Sequence, residues 1–311
     1  MQDKNTRRIF IKQSALCAGA FLTASLPSFG AIDEWADAHT LTILHTNDVH
    51  SRLEPFPMDG SKNQGMGGVA ARAAVIAQVR QEVEHVLLLD AGDIFQGTPY
   101  FNVYKGEPEI KAMSMMQYDA CTMGNHDFDG GIDNFGTQLQ HATFQVLVAN
   151  YDFTNTTLAQ KVLPYKIFKK GKIKVGVFGI GIELQGLVPE VLSGATKYLD
   201  PITVANQTAE QLYQQGCDLI ICLSHLGDKY DNDKVSDEVL AQSTKNIDLI
   251  IGGHTHRFFS MPKVYKNQSG GDTLVNQVGW AGINLGRIDF TFSAIGKRKK
   301  AESRLLEVRK K

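Results

Sequence analysis

The chain has 311 residues, 43% of them hydrophobic and 21% charged, with a formal net charge of −1. These proportions exclude a disordered chain, a collagen-like fibre and a disulfide-stapled miniprotein, and they fit one large domain or two small ones. A charge this close to neutral gives no overall basic field, which argues against a nucleic acid polymer as partner.

Residues 1–30 read as a targeting segment and are set apart from the fold. Thr6 precedes Arg7 and Arg8, followed by Ile9, Phe10, Ile11 and Lys12 and then an Ala- and Ser-rich apolar run to Phe29. The order resembles a twin-arginine export signal, with Ile11 where leucine is usual. As a membrane anchor the run is short and broken by Thr23, Ser25, Pro27 and Ser28, against ~30 Å of hydrocarbon. The expectation is export to the periplasm or beyond, with cleavage after Gly30 or Ala38.

Leu41 to Leu44 alternates apolar and polar residues and predicts the first strand. Val69, Ala73, Ile76, Val79 and Val83 recur at helical spacing within 68–85. Val86 to Leu89 predicts a buried strand, and Ile110, Met113 and Met116 mark a second helix. Val146 to Val148 and Lys174 to Phe178 are further strands. Asp200-Pro201 supplies a cap and a first-turn proline for a helix running to Gln214. Leu219 to Leu223 and Asp248 to Ile251 follow as buried strands, with a helix over Val235 to Gln242 between them. From Pro262 the pattern turns to strands and turns: Leu274 to Gln277, Arg287 to Phe292 and Leu305 to Val308. Lys297 to Lys311 is strongly basic and reads as a solvated strand and tail. Strands alternating with helices predict an α/β protein, two facing sheets with helices outside. Cys217 and Cys222 flank a strand on opposite faces, too far apart to bridge, and with Cys121 they read as small apolar residues.

Five segments share one layout, an apolar strand and then a turn bearing Asp, Asn or His. They are Thr46-Asn-Asp48-Val-His50, Ala91-Gly-Asp93, Gly124-Asn125-His126-Asp127, Leu223-Ser-His225-Leu-Gly227 and Gly252-Gly-His254-Thr-His256. In α/β sheets ligands collect beyond the carboxyl ends of strands. If the turns converge, imidazoles, carboxylates and an amide meet, a donor mix that suits Zn, Mn or Fe and is too rich in nitrogen for a dedicated Ca site. In extended backbone Asp48 and His50 share a face, and His254 and His256 repeat the spacing beside a tight turn at Gly252 and Gly253. Asp93 has two oxygens and can serve two ions. Asp90 competes for that role, with Asp93 preferred because Gly92 frees the backbone before it. Asp37-Ala-His39 reads as a decoy with no strand to present it, His45 as a packing residue on the first strand, and His85 as a helix-end residue.

Taken in order, Leu41 to Leu53, Gly-Asp93, Gly-Asn-His126-Asp-Phe-Asp129, Ser-His225 and Gly-Gly-His-Thr-His256 resemble the calcineurin-like metallophosphoesterases, and within them the 5′-nucleotidase family. The resemblance covers about 40 to 295. It implies a four-layer α/β/β/α sandwich with two divalent metal ions (Zn, Mn, Fe or Co) between the loop ends of the sheets. It assigns Asp48, His50 and His256 to the first ion, Asn125, His225 and His254 to the second, and Asp93 to both. His256 stands where some members have glutamine. His126 and Asp129 match the catalytic pair; the alternative is that His126 only steadies Asn125. The implied reaction is in-line hydrolysis of a small phosphoester, a 5′-nucleotide first, by a hydroxide shared between the ions.

Cyclic nucleotides, UDP-sugars and thiosulfate-type esters are alternative substrates within the same fold, and a metal-dependent binding module is the non-enzymatic alternative. Family nucleotidases continue into a nucleotide-binding domain. The sequence from 40 to 311 reads as one metallophosphatase domain without it, which leaves three outcomes: a relaxed phosphomonoesterase, a different substrate, or a separate chain as the partner that supplies that part.

Overall fold

The computed structural model describes residues 39–293 and 298–309; the expected export signal and both expected cleavage positions lie outside them. In chain order the elements are β1 (His39–Thr46), α1 (Val69–Glu82), β2 (Val86–Asp90), α2 (Pro99–Tyr104), α3 (Glu107–Met115), β3 (Ala120–Cys121), α4 (Ile132–Gln138), β4 (Gln145–Val146), β5 (Tyr151–Asp152), β6 (Tyr165–Lys170) and β7 (Ile173–Ile180). There follow α5 (Glu190–Ser193), β8 (Lys197–Tyr198), α6 (Pro201–Gln214), β9 (Leu219–Ser224), α7 (Asp237–Ser243), β10 (Leu249–Ile251), β11 (Lys263–Lys266), β12 (Asp272–Asn276), β13 (Asn284–Phe292) and β14 (Arg298–Glu307).

Two six-stranded mixed sheets result, ordered β14-β13-β1-β2-β3-β4 and β11-β12-β10-β9-β7-β6, while β5 and β8 form a small ribbon. β2 reads Val-Leu-Leu-Leu without alternation because both of its faces are covered. Leu87 and Leu89 join the core between the sheets, with Leu41, Ile43, Val175, Val177, Ile221 and Ile251. Leu88 faces the other way, into a second core with Ile76 and Val79 of α1 and Ile110 and Met113 of α3. On the far sheet, Ile220, Cys222 and Ile250 turn outward onto Ala205, Ala209 and Leu212 of α6 and Leu240 of α7. The layers are therefore α/β/β/α, as the resemblance implied.

Several local expectations are corrected. α1 ends at Glu82, so His85 lies beyond it rather than at its end. β1 begins at His39, because His39 and Thr40 pair with Phe292 and Thr291 on β13. The decoy histidine therefore sits on a strand, at the end opposite the metal turns. α7 starts at Asp237, where the Ser236 hydroxyl accepts the Val239 N–H as its cap. Strand β14 starts well before Leu305, and the β6–β7 hairpin carries no simple apolar alternation on its outer strand. Cys217 and Cys222 pack in the same outer core rather than on opposite faces, and both are free thiols. α6 begins as the sequence indicates, with the Asp200 carboxylate accepting the Thr203 N–H at 2.8 Å, a cap worth ~1 kcal/mol.

Strands β1 to β4 run parallel in one sheet, and β7, β9, β10 and β12 in the other. Their carboxyl ends present the five motif turns.

Candidate metal centre

Beyond β1 and β2 the chain does not stay extended. Asp48, His50, Ser51 and Asp93 all have left-handed φ of 51–56°, a conformation that costs non-glycine residues and concentrates at functional sites. The two loops run side by side, with Asp48 N–H on Gly92 O (2.9 Å), His50 N–H on Asp93 O (3.0 Å) and Ser51 N–H on Ile94 O (2.8 Å). Asp48 and His50 do reach one cluster, but through left-handed turns rather than a shared strand face. His254 and His256 are also left-handed, at 68° and 53°, and they point to different clusters instead of repeating the Asp48–His50 geometry.

Donor atoms of Asp48, His50, Asp93 and His256 lie within 4.8 Å of one another, and so do those of Asp93, His225 and His254. Asp93 belongs to both groups. In the first, His50 Nε2 is 3.0 Å from His256 Nε2, and His256 Nε2 is 3.3 Å from Asp48 Oδ1. In the second, His225 Nε2 is 3.1 Å from Asp93 Oδ2, while Asn125 Oδ1 touches His254 Nδ1 at 2.9 Å. Every residue assigned to an ion by the resemblance is thus at this junction. Asp90 is not; its carboxylate accepts the Thr46 hydroxyl and the Gly92 N–H, and burial pushes its pKa up to about 7.

A cation fits what these residues leave unmet. His225 Nδ1 donates to Ala91 O at 2.7 Å, which fixes the tautomer and leaves Nε2 with a bare lone pair. That nitrogen is fully buried, without a hydrogen-bond partner, and faces a carboxylate oxygen. Two acceptors 3.1 Å apart need a positive charge between them. Without a metal the charge would come from a proton: burial disfavours the His225 imidazolium, yet the Asp93 and Asp48 carboxylates prevail and push its pKa up to about 10. Burial pushes His254 down to about 4 and lowers His50. Neutral imidazoles of this kind are ready ligands.

His126 lies on a 3-10 turn, Asn125–Phe128, its ring 5.3 Å from that of His50. Its backbone N–H donates to Asp93 Oδ1 (2.8 Å), and its Nδ1 pairs with Asp129 Oδ2 at 2.8 Å. The hydrogen bond to Asp129 raises its pKa.

Three residues escaped the sequence reading. The buried Asp127 carboxylate accepts the N–H groups of Gly124 (2.8 Å), Asp93 (3.0 Å), Ile94 (2.9 Å) and Phe95 (3.1 Å), clamping the β2 and β3 loops together. Burial and the Asp93 charge push its pKa up to about 7 against the pull of those donors. Its signal was an acid inside the Gly-Asn-His run. Asn47 ties the other sheet in, donating to Gly279 O (2.6 Å) and accepting the Val278 N–H (3.0 Å). Trp280 stacks on His256 with ring centroids 6.0 Å apart and 12° between planes. It follows β12, another strand ending on the same side. Gly252 and Gly253 matter for room rather than for a left-handed turn, since a Cβ on Gly253 would lie 2.7 Å from His225 Nδ1.

Residues 41–258 match the calcineurin-like phosphoesterase family. The chain belongs to this family. Its similarity to Crotalus adamanteus snake venom 5′-nucleotidase is 39% identity over 238 residues, 73% of this chain and 39% of that protein. With Homo sapiens 5′-nucleotidase it shares 37% over 233 residues, 72% of this chain and 39% of that one. The crystal structure of a 5′-nucleotidase precursor from Thermus thermophilus superposes with a TM-score of 0.77 at 33% identity, covering 87% of this chain and 55% of that one. The chain thus spans 39% of the length of the venom and human relatives. Membership of the family places it among metal-dependent hydrolases.

Proposed function

We propose that the chain is an exported phosphoesterase that hydrolyses small phosphomonoesters, 5′-nucleotides foremost, at a centre of two divalent metal ions. The observation that carries this reading is the pair of donor clusters sharing Asp93, with the His126–Asp129 pair alongside. Asp48, His50, Asp93 and His256 would hold one ion; Asp93, Asn125, His225 and His254 would hold the other. Bound there, the ions would lower the pKa of water and offset the charge of phosphoryl oxygens.

The remaining work falls to the protein. Asp129 holds His126 Nδ1, so the other ring nitrogen is directed away from that bond and keeps its proton more readily. Set among the clusters, that imidazolium would donate to a phosphoryl oxygen as negative charge builds on it. Asp127 holds the loops of Asp93 and Asn125 in register, fixing one cluster against the other before substrate arrives. Export rests on the twin-arginine pattern at Arg7 and Arg8, and residues 40–311 are taken as one catalytic domain. The 37–39% identity to enzymes named 5′-nucleotidases supports the nucleotide substrate.

A panel of AMP, UMP, a 2′,3′-cyclic nucleotide, a UDP-sugar and p-nitrophenyl phosphate, each with Mn, Zn or Co, tests the reading. Metal-dependent turnover of AMP and UMP above the others is expected. Turnover of none, with metal bound, would leave a binding module.

A further inference from the structure

Beside the first cluster lies an open cavity of about 270 Å³. Besides His50, His126 and His256 it is lined by Arg52, Gln96 and Trp280, and no carboxylate lines it. Asp48 and Asp93, 0% and 1% exposed, are spent on the clusters behind it.

Arg52 is half-buried, and its Nε is buried without a hydrogen-bond partner. Its guanidinium carbon sits 4.1 Å from the Phe56 ring centroid, and among the described residues it has no ion-pair partner. The contrast with Arg287 is direct: that guanidinium is paired with Glu82 at 2.7 Å and Asp289 at 3.0 Å. The Nε–H is withdrawn from water without an acceptor while the residue lines the cavity, so Arg52 is set for an anion from outside the chain. Gln96 adds a second unspent donor. Its side-chain amide has no hydrogen bond among the described residues, and its backbone is held left-handed at φ 67°.

The arrangement is braced. Phe56, under the Arg52 guanidinium, meets Trp280 edge-on at 5.7 Å, and Trp280 stacks on His256. One indole thus ties the guanidinium platform to a candidate ligand of the first ion, so the spacing between them is set before anything binds.

We propose that Arg52 and Gln96 form an anion subsite beside the metal centre that takes a second phosphoryl group of the substrate, so that nucleoside diphosphates are turned over alongside the monoesters. The proposal rests on the phosphoesterase reading and adds to its substrate. The scissile phosphoryl group has the clusters and His126; Arg52 and Gln96 are surplus to it, in a cavity with room beyond it. The planar fork of a guanidinium matches two phosphoryl oxygens, and a lysine would not reproduce that match.

The test uses the metal-reconstituted chain, AMP and ADP as substrates, and calorimetric binding of inorganic pyrophosphate and phosphate. Wild type is expected to bind pyrophosphate more tightly than phosphate. Arg52→Gln should weaken pyrophosphate roughly ten- to a hundredfold and lower the ADP to AMP ratio of kcat/KM by a similar factor, with Arg52→Lys recovering part. Equal losses for ADP and AMP, or pyrophosphate affinity unchanged in Arg52→Gln, would overturn the subsite. If Arg52→Gln does not fold, Gln96→Ala is read by the same ratio, where a fall supports the subsite and a constant ratio removes it. Hydrolysis of neither nucleotide, with Arg52-dependent pyrophosphate binding intact, would instead sink the phosphoesterase reading and leave the subsite standing.

Discussion

His126 is the residue at which chemistry and architecture separate. It touches no donor atom of either cluster directly through its ring, yet its backbone rests on Asp93 and its ring on Asp129. His126→Ala should therefore cut kcat by about 10²–10⁴ while elemental analysis still finds both ions. Metal loss equal to that of His225→Ala would reduce His126 to a steadying residue for Asn125. A different histidine governs acid stability. His45 is fully buried on β1 and meets Asn276 Nδ2 at 2.9 Å, and burial lowers its pKa to about 3. The unfolded chain protonates it near 6.5, the folded chain only near 3, so this contribution to stability is intact above pH 6.5 and is lost as pH falls towards 3. At its steepest the loss is ~1.4 kcal/mol per pH unit. Urea titrations from pH 7 to 4 should show a shallower decline for His45→Gln than for wild type; parallel curves would refute the assignment.

At the scale of elements, the loops matter more than the strands they follow. Asp127 fastens the loops after β2 and β3 to each other, and Asn47 those after β1 and β12, through backbone groups. The tolerance is small at Gly124, where an added Cβ would collide with Asp93 Oδ1 and the His225 ring. Gly124 has ordinary negative φ, −99°, so alanine there meets a steric conflict and no backbone strain. Gly124→Ala is expected to keep the native circular dichroism spectrum and lose affinity for metal by about tenfold or more, as for a change beside metal ligands, read by competition with a chelator. Unaltered affinity would mean that these loops shift more freely than the packing implies.

Across the whole molecule, the two sheets are joined by the inter-sheet core and, at one end, by the donor clusters. Asp48, from the first sheet, accepts the His254 N–H from the second at 2.9 Å, and the ions would bridge the same seam. Bound only to the folded chain, each ion at about a hundredfold over its dissociation constant would stabilise by ~2.7 kcal/mol, about 5 kcal/mol for the pair. Chelation of the purified protein should lower Tm by roughly 10–20 °C, reversibly on adding Mn or Zn. An unchanged Tm, with metal demonstrably removed, would argue against cations bridging the sheets.

The sequence by itself determined the layered α/β class, because buried parallel strands must be apolar on both faces, and it determined the order of the donor-bearing turns, because they follow strands. Leu219 to Leu223 followed by His225 is enough to read both. It also allowed the family resemblance, which placed each donor by position. Only the tertiary structure decided how those donors meet. Asp48 and His254 turn left-handed where extended backbone was expected, since strain at a loop is set by the contacts that over-determine it, here Gly92 O and the Asp48 carboxylate. Arg52 and Trp280 had no pattern of their own to announce them, and Asp127 showed only as an acid inside the Gly-Asn-His run. Their significance comes from neighbours distant in sequence, and such proximity exists only once both sheets have packed.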